Sequence, residues 1–213
     1  NDPVDLGGRP VLIDRLHIEK LKEISGSENV STADYDRLKY STGMTVEEAM
    51  ELRQKKIAEV CDVVVHPRNK EEVAKIVAYC DAQGLPLYVY GGGSGVNFGV
   101  RPAKGGVTLV MMTHMNRLLE LDEKNQTARV EAGIFGPEYE RLLNNAPGLY
   151  GTKRRYTNGH FPQSFEHSSV GGWVATLGSG QQSTYYGDIY DLVAAVEIVT
   201  PRGIIKTLPY AAT

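Results

Sequence analysis

From Asp62 the chain turns abruptly apolar: "DVVVHP" is a continuous β-branched run that stops at Pro67, the mark of a short buried strand. The next stretch, "NKEEVAKIVAYCDAQG", sets Val73, Ile76, Val77 and Cys80 at helical spacing. Asn69 stands at its N-cap with Glu72 three residues on, and Gly84 closes it. "LPLYVY" (85–90) is a second strand, so strand, helix and strand predict a βαβ unit with a right-handed crossover. "GVTLVMM" (106–112) and "TARVEAG" (127–133) are further strands, with "HMNRLLELDEKNQ" read as the connection. "FGPEYERLL" opens a helix with Pro137 near its start. "LVAAVEIVTPRGIIKTL" reads as two strands about the turn Pro201-Arg202-Gly203. Ahead of all this, residues 1–60 are polar and helical, with one helix around 14–24 and another from Thr45, where "TVEE" makes Glu48 a capping-box partner. The pattern is α+β, parallel at first and mainly antiparallel afterwards. It divides into a helical N-terminal extension (1–60), which shows no chemistry of its own, and a domain over 61–213.

Composition narrows the functional classes. At 213 residues there is enough chain for one large domain or two small ones. A net charge of -3 argues against general nucleic-acid binding. The basic run Lys153-Arg154-Arg155 reads as a solvated patch, with a grip on an anion as the functional alternative. Cys61 and Cys80 lack C-x-x-C spacing, and Cys80 falls on the apolar face of its helix, which favours a buried reduced thiol. No metal site is legible among the five histidines, and no apolar run reaches membrane-spanning length. With no signal peptide, the expectation is a cytoplasmic protein or a piece of one.

Two glycine-rich stretches carry the chemistry. "GGGSGVNFG" (91–99) leaves the C-terminal end of a strand, where α/β sheets bind ligands. It lacks the Lys-Ser or Lys-Thr of a P-loop. It also fails G-x-G-x-x-G, because Val96 and Phe98 occupy the sixth positions counted from Gly91 and Gly93. What remains is a backbone cradle for an anion, or a tight turn with nothing bound. The second stretch, 159–193, contains Gly171-Gly172, Gly178, Gly180 and Gly187 among small hydroxyl residues. It could face the same elongated ligand from the other side, or it could pack a short helix, "VGGWVATLGSG", on a sheet.

The order "VVVHP…EEVAKIV…LYVYGGGSGV…ARVEAGIFGPEYERLL…PQSFEHSSVGGWVAT…YYGDIYDLVAAVEIVTPRG" resembles the PCMH-type FAD-binding domain of the vanillyl-alcohol oxidase and p-cresol methylhydroxylase superfamily. Within it the likeness is to the alkyldihydroxyacetonephosphate synthases and bacterial FAD-linked oxidases, over roughly residues 10–208. The resemblance implies two α+β subdomains, a small parallel βαβ sheet and a larger, mainly antiparallel one, with FAD between them. It maps the pyrophosphate loop to Val89, Tyr90, Gly91, Gly92, Gly93, Ser94 and Gly95. A second contact segment maps to Gln163, Ser164, Phe165, Glu166, His167, Ser168 and Ser169, and a third to Thr176, Leu177, Gly178 and Ser179. His160 falls where the synthases carry an active-site histidine, and a merely hydrogen-bonded loop histidine is the alternative. Leu177 replaces a customary arginine, and His167 stands where the synthases have an apolar aromatic. Because the first loop holds neither His nor Cys, FAD is expected to be non-covalent.

The implied function is exchange of acyl for alkyl, as in ether-lipid synthesis, through an adduct at flavin N5. The alternative is oxidation of a 2-hydroxy acid such as glycolate or D-lactate, with the flavin carrying the chemistry in both. Family members continue into a further flavin-contacting segment and a substrate-binding cap domain, neither found in this sequence. A flavin-binding fragment without activity of its own is therefore a third reading. The expected partners are a small or lipid-like substrate and, for assembly, a second copy of the chain.

Overall fold

The computed structural model describes residues 6–207. The leading segment holds helix α1 (Arg15–Ser25), strand β1 (Val30–Ser31), helix α2 (Asp34–Lys39) and helix α3 (Val46–Gln54). Asp14 caps α1 by accepting from the Leu16 N–H, and Thr45 caps α3 in a reciprocal box with Glu48. Besides its helices, this segment supplies a strand to the sheet that follows, because β1 pairs antiparallel with the next strand.

That sheet is the frame of the molecule. It contains β2 (Val63–Val65), β3 (Leu87–Tyr90) after helix α4 (Lys70–Ala82), and β4 (Val107–Val110). Asn69 Oδ1 accepts from the Glu72 N–H at 2.9 Å to start α4. Gly84 leaves it at φ +64°, a turn that favours glycine. The order is β1-β2-β4-β3, with β4 parallel to both neighbours and every residue of it buried.

Both faces are covered, which explains the unbroken valine run. Val63, Val65, Val107 and Leu109 pack with Leu21 of α1 and with Val73, Ile76 and Cys80 of α4. On the opposite face Val64, Tyr90 and Val110 meet Tyr40 and Cys61. Both cysteines are free and buried, and burial pushes the Cys80 thiol up to about 11. Arg37, also buried, locks the leading segment down by donating to the carbonyls of Arg9, Pro10 and Cys61.

The second half is built of shorter pieces: hairpin β5 (Leu118–Asp122) and β6 (Thr127–Val130), then helices α5 (Gly136–Asn144), α6 (Ala146–Tyr150), α7 (Val170–Thr176), α8 (Ser183–Tyr186) and α9 (Ile189–Leu192). Strands β7 (Glu197–Thr200) and β8 (Gly203–Lys206) close the described chain. In this half the strands form two separate two-stranded antiparallel sheets, β5–β6 and β7–β8. Strand β5 lies within the stretch read as a connection. The β7–β8 pair returns to α4 through Lys70 and Glu197, 3.0 Å apart.

Candidate cofactor site

The glycine loop begins where β3 ends at Tyr90, at the C-terminal edge of the parallel strands. Its glycines answer to different constraints. A Cβ on Gly92 would overlap the His167 carbonyl, and one on Gly91 would overlap the Ser169 hydroxyl. Gly93 sits at φ +69°, with its Cβ position against the Tyr90 hydroxyl. Gly95 is different, with nothing within 4 Å of its Cβ position. The first two predicted segments, 89–95 and 163–169, are thus in contact. Three of the four glycines are required by protein packing or backbone conformation, and the fourth faces open space.

Among the described residues, the N–H groups of Gly91, Gly92, Gly93, Ser94 and Gly95 meet no acceptor in the protein. Such a run of unpaired backbone donors is the arrangement that receives an anion. Val89 is exposed beside the loop. Tyr90 is buried and donates to the Thr42 carbonyl at 3.3 Å.

The second segment is held by its own hydroxyls. Phe165–His167 form a 3-10 turn after Gln163 and Ser164. Ser168 Oγ donates to the Ser164 carbonyl (2.8 Å) and accepts from Trp173 Nε1 (2.6 Å). Ser169 Oγ accepts from the Gly172 N–H and caps α7. Both serine side chains are buried in these bonds, which leaves Gln163, Glu166 and His167 as the exposed side chains of the segment. Phe165 stacks on Trp173 with ring centroids 6.0 Å apart. Gly171 lets α7 lie against Ala132, whose Cβ is 2.7 Å from the absent side chain's position.

The third segment lies at the far end of α7, about 10 Å along the helix from the second. Thr176 Oγ1 donates to the Gly172 carbonyl at 2.9 Å. Leu177 forms the left-handed C-cap at φ 51°, and Gly178 N–H donates to the Trp173 carbonyl. Ser179 is exposed, and the hydroxyls of Ser179, Ser183 and Tyr190 hold the nearby Asp188 carboxylate below the usual range.

His160 lies beneath this helix, 1% exposed, its ring 5.0 Å from that of Trp173. Neither ring nitrogen has a hydrogen-bond partner, although Nε2 is 4.0 Å from the Cβ position of Gly178. Burial lowers its pKa and the Asp188 charge opposes that, with a net shift downward. At neutral pH it is therefore an uncharged imidazole in an apolar setting. Asp188 was missed in the sequence, where "GDIYD" signals only a helix cap. The basic run Lys153-Arg154-Arg155 is exposed, and Arg155 lines an open depression of about 450 Å³ with Arg141 and Asn145. That depression shares no residue with either glycine-rich stretch.

The bare N–H run and the open side of Gly95 fit a doubly charged anion such as a pyrophosphate. The chain is 36% identical over 173 residues to an alkyldihydroxyacetonephosphate synthase of Caenorhabditis elegans, matching 80% of this chain and 28% of that protein. It is 30% identical over 190 residues to the glycolate oxidase subunit GlcD of Bacillus subtilis (strain 168), matching 89% of this chain and 37% of that one. A solved alkyldihydroxyacetonephosphate synthase superposes with a TM-score of 0.87 at 27% identity, over 100% of this chain and 39% of that structure. The chain spans about a third of the length of the curated relatives it matches. Residues 61–209 match the family described as "FAD binding domain", and the chain belongs to that family.

Proposed function

We propose that this chain is the FAD-binding portion of a flavoenzyme of the alkyldihydroxyacetonephosphate synthase kind. The observation that carries it is the meeting of the two glycine-rich segments around five unpaired backbone donors. Gly91 to Gly95 hold the pyrophosphate by their N–H groups, with Val89 and Tyr90 as the strand end that aims them. Segment 163–169 forms the facing wall, through its backbone and the exposed Gln163, Glu166 and His167. Thr176, Leu177, Gly178 and Ser179 contact the cofactor farther along α7. When bound, the flavin supplies an electrophilic and redox-active ring. His160, neutral and lacking a partner on either ring nitrogen, holds or accepts a proton beside it.

Binding is non-covalent in this reading, since the loop offers no His or Cys. The expected result is that the purified protein takes up one FAD, retains its yellow colour through gel filtration and releases it on acid precipitation. Flavin that stays with the precipitate overturns the non-covalent reading, with His167 the first residue to examine. A colourless protein that takes up no added FAD overturns the cofactor reading itself.

The similarity to GlcD supports a second reading, a 2-hydroxy-acid oxidoreductase. Turnover of acyl-dihydroxyacetone phosphate with a fatty alcohol supports the first reading, and acceptor reduction by glycolate or D-lactate supports the second. No helix among the described residues is long and apolar enough to cross a membrane. The proposal includes a small or lipid-like substrate, a cytoplasmic location and a homodimer.

A further inference from the structure

The glycine loop has a back as well as a face, and its back is made by the leading segment outside the matched family region of 61–209. Gly43 lies behind the loop, its Cβ position 3.1 Å from the Gly93 carbonyl oxygen and 3.3 Å from that of Gly95. The Thr42 carbonyl accepts from the Tyr90 hydroxyl at the loop's entrance. Glu48, 0% exposed, accepts from the N–H groups of Gly43 (2.9 Å) and Thr45 (3.1 Å). It also accepts from Arg101 Nε at 3.4 Å. Arg101 stands at the loop's exit, bonds Glu51 at 2.7 Å, and lies 4.4 Å over the ring of Phe98. Phe98 itself is held at φ 55°, a conformation its side chain does not favour. One buried carboxylate therefore ties together the strand of chain behind the loop and the arginine that ends it.

We propose that residues 42–51 are a brace for the glycine loop, with Glu48 and Arg101 as positioning residues that hold its backbone donors in the shape that receives the cofactor's pyrophosphate. The affinity part of this rests on the FAD reading above, while the mechanical part does not. Backbone donors act on an anion only where their directions converge, and a loop of glycines has little stiffness of its own. Here the stiffness comes from charge-assisted bonds made outside the loop. Burial pushes the Glu48 carboxyl up, but the bonds from Gly43, Thr45 and Arg101 hold it below its usual range, so it is ionised at neutral pH.

The test compares E48Q with E72Q. Glu72 is also nearly buried, also at the third position of a helix, and also bonded to an arginine, Arg68, but it has no contact with the glycine loop. Two readouts are taken on the purified protein: the dissociation constant for FAD, and the rate of chymotryptic cutting after Phe98 in the absence of FAD, followed by mass spectrometry. E48Q is expected to weaken FAD by about tenfold and to speed the cut, whereas E72Q leaves both near wild type. E51Q, which removes only the outer partner of Arg101, is expected to move both in the same direction by less, and it serves if E48Q fails to fold. The brace is overturned if E48Q matches wild type in both readouts, or if E72Q moves them as far. A wild-type protein that takes up no FAD overturns the cofactor reading and the affinity half of this proposal. The cutting rates then still decide the mechanical half: faster in E48Q than E72Q supports it, equal rates overturn it.

Discussion

A methyl group on Gly92 would overlap a backbone carbonyl, that of His167, which cannot rotate away as a side chain would. G92A should therefore cost about 3 kcal/mol, read as a fall in the urea midpoint. Gly95 has space around it and no positive φ, so G95A should change stability by no more than about 1 kcal/mol, and upward if at all. If Gly95 faces the cofactor, G95A must nevertheless weaken FAD binding, so stability and affinity should part company at this position. Unchanged FAD affinity in G95A would remove Gly95 from the site. His160 makes a second prediction. Its folded pKa lies below the ordinary value of about 6.5, so the unfolded chain takes up a proton first as pH falls. Its contribution is complete above about 6.5 and is lost as pH drops from there toward the folded value. His66, also shifted down by burial, acts in the same direction. Melting temperature should accordingly decline between pH 7 and 5, and H160F, which keeps a ring against Trp173, should flatten that decline without abolishing it. An unaltered slope in H160F would show that His160 is not the group responsible.

At the level of elements, those defined by local chemistry were legible and those defined by partners were not. The α4 cap at Asn69, the Thr45–Glu48 box, Pro137 at the start of α5 and the Pro201-Arg202 turn all stand where their residues place them. Strand β5 escaped because "LLELD" pairs with β6 through a turn whose signal is a single side chain, Asp122, accepting from the N–H groups of Lys124 and Asn125. The central place of β4, between β2 and β3, is a long-range fact that periodicity does not contain. At the candidate site, the resemblance named three segments and the structure brings the first two together, but the resemblance did not reveal that Gly91 and Gly92 are small to admit residues 167–169. Nor did it show that the leading segment backs the loop, since a capping box reads the same whatever lies behind it. Helix α7 ends on a residue that local chemistry would not choose. Leu177 is 64% exposed and holds φ 51° with little packing in return. L177G should stabilise the protein by about 0.5–1 kcal/mol, measured by chemical denaturation, and a loss instead would mean that the leucine packs better than its exposure indicates.

Across the whole molecule, burial is concentrated toward the first half. Both large clusters draw their buried members from residues 21–115, while the second half contributes scattered ones such as Ile134, Leu143, Trp173 and Ile189. The glycine loop lies at the junction, leaving the buried sheet at Tyr90 and touching the second half at residues 167–169. One side of the site is therefore anchored in the most protected part of the protein and the other in a part stabilised by few apolar contacts. Local opening follows buried contact density, so native-state hydrogen exchange should rank the amides accordingly. Those of β2 and β4 should exchange only by global unfolding. Those of β7 and β8, whose Ile198, Ile204 and Ile205 are exposed, should exchange through a smaller opening, with segment 163–176 between these extremes. A ligand spanning the junction binds neither a state in which 163–176 has opened nor the unfolded chain, so saturating FAD should slow exchange in 163–176 and in β2 and β4 by the same factor, even though 163–176 exchanges faster without it. If FAD slows β2 and β4 but leaves 163–176 unchanged, that segment opens without releasing the cofactor, and the facing wall of the site must be sought elsewhere.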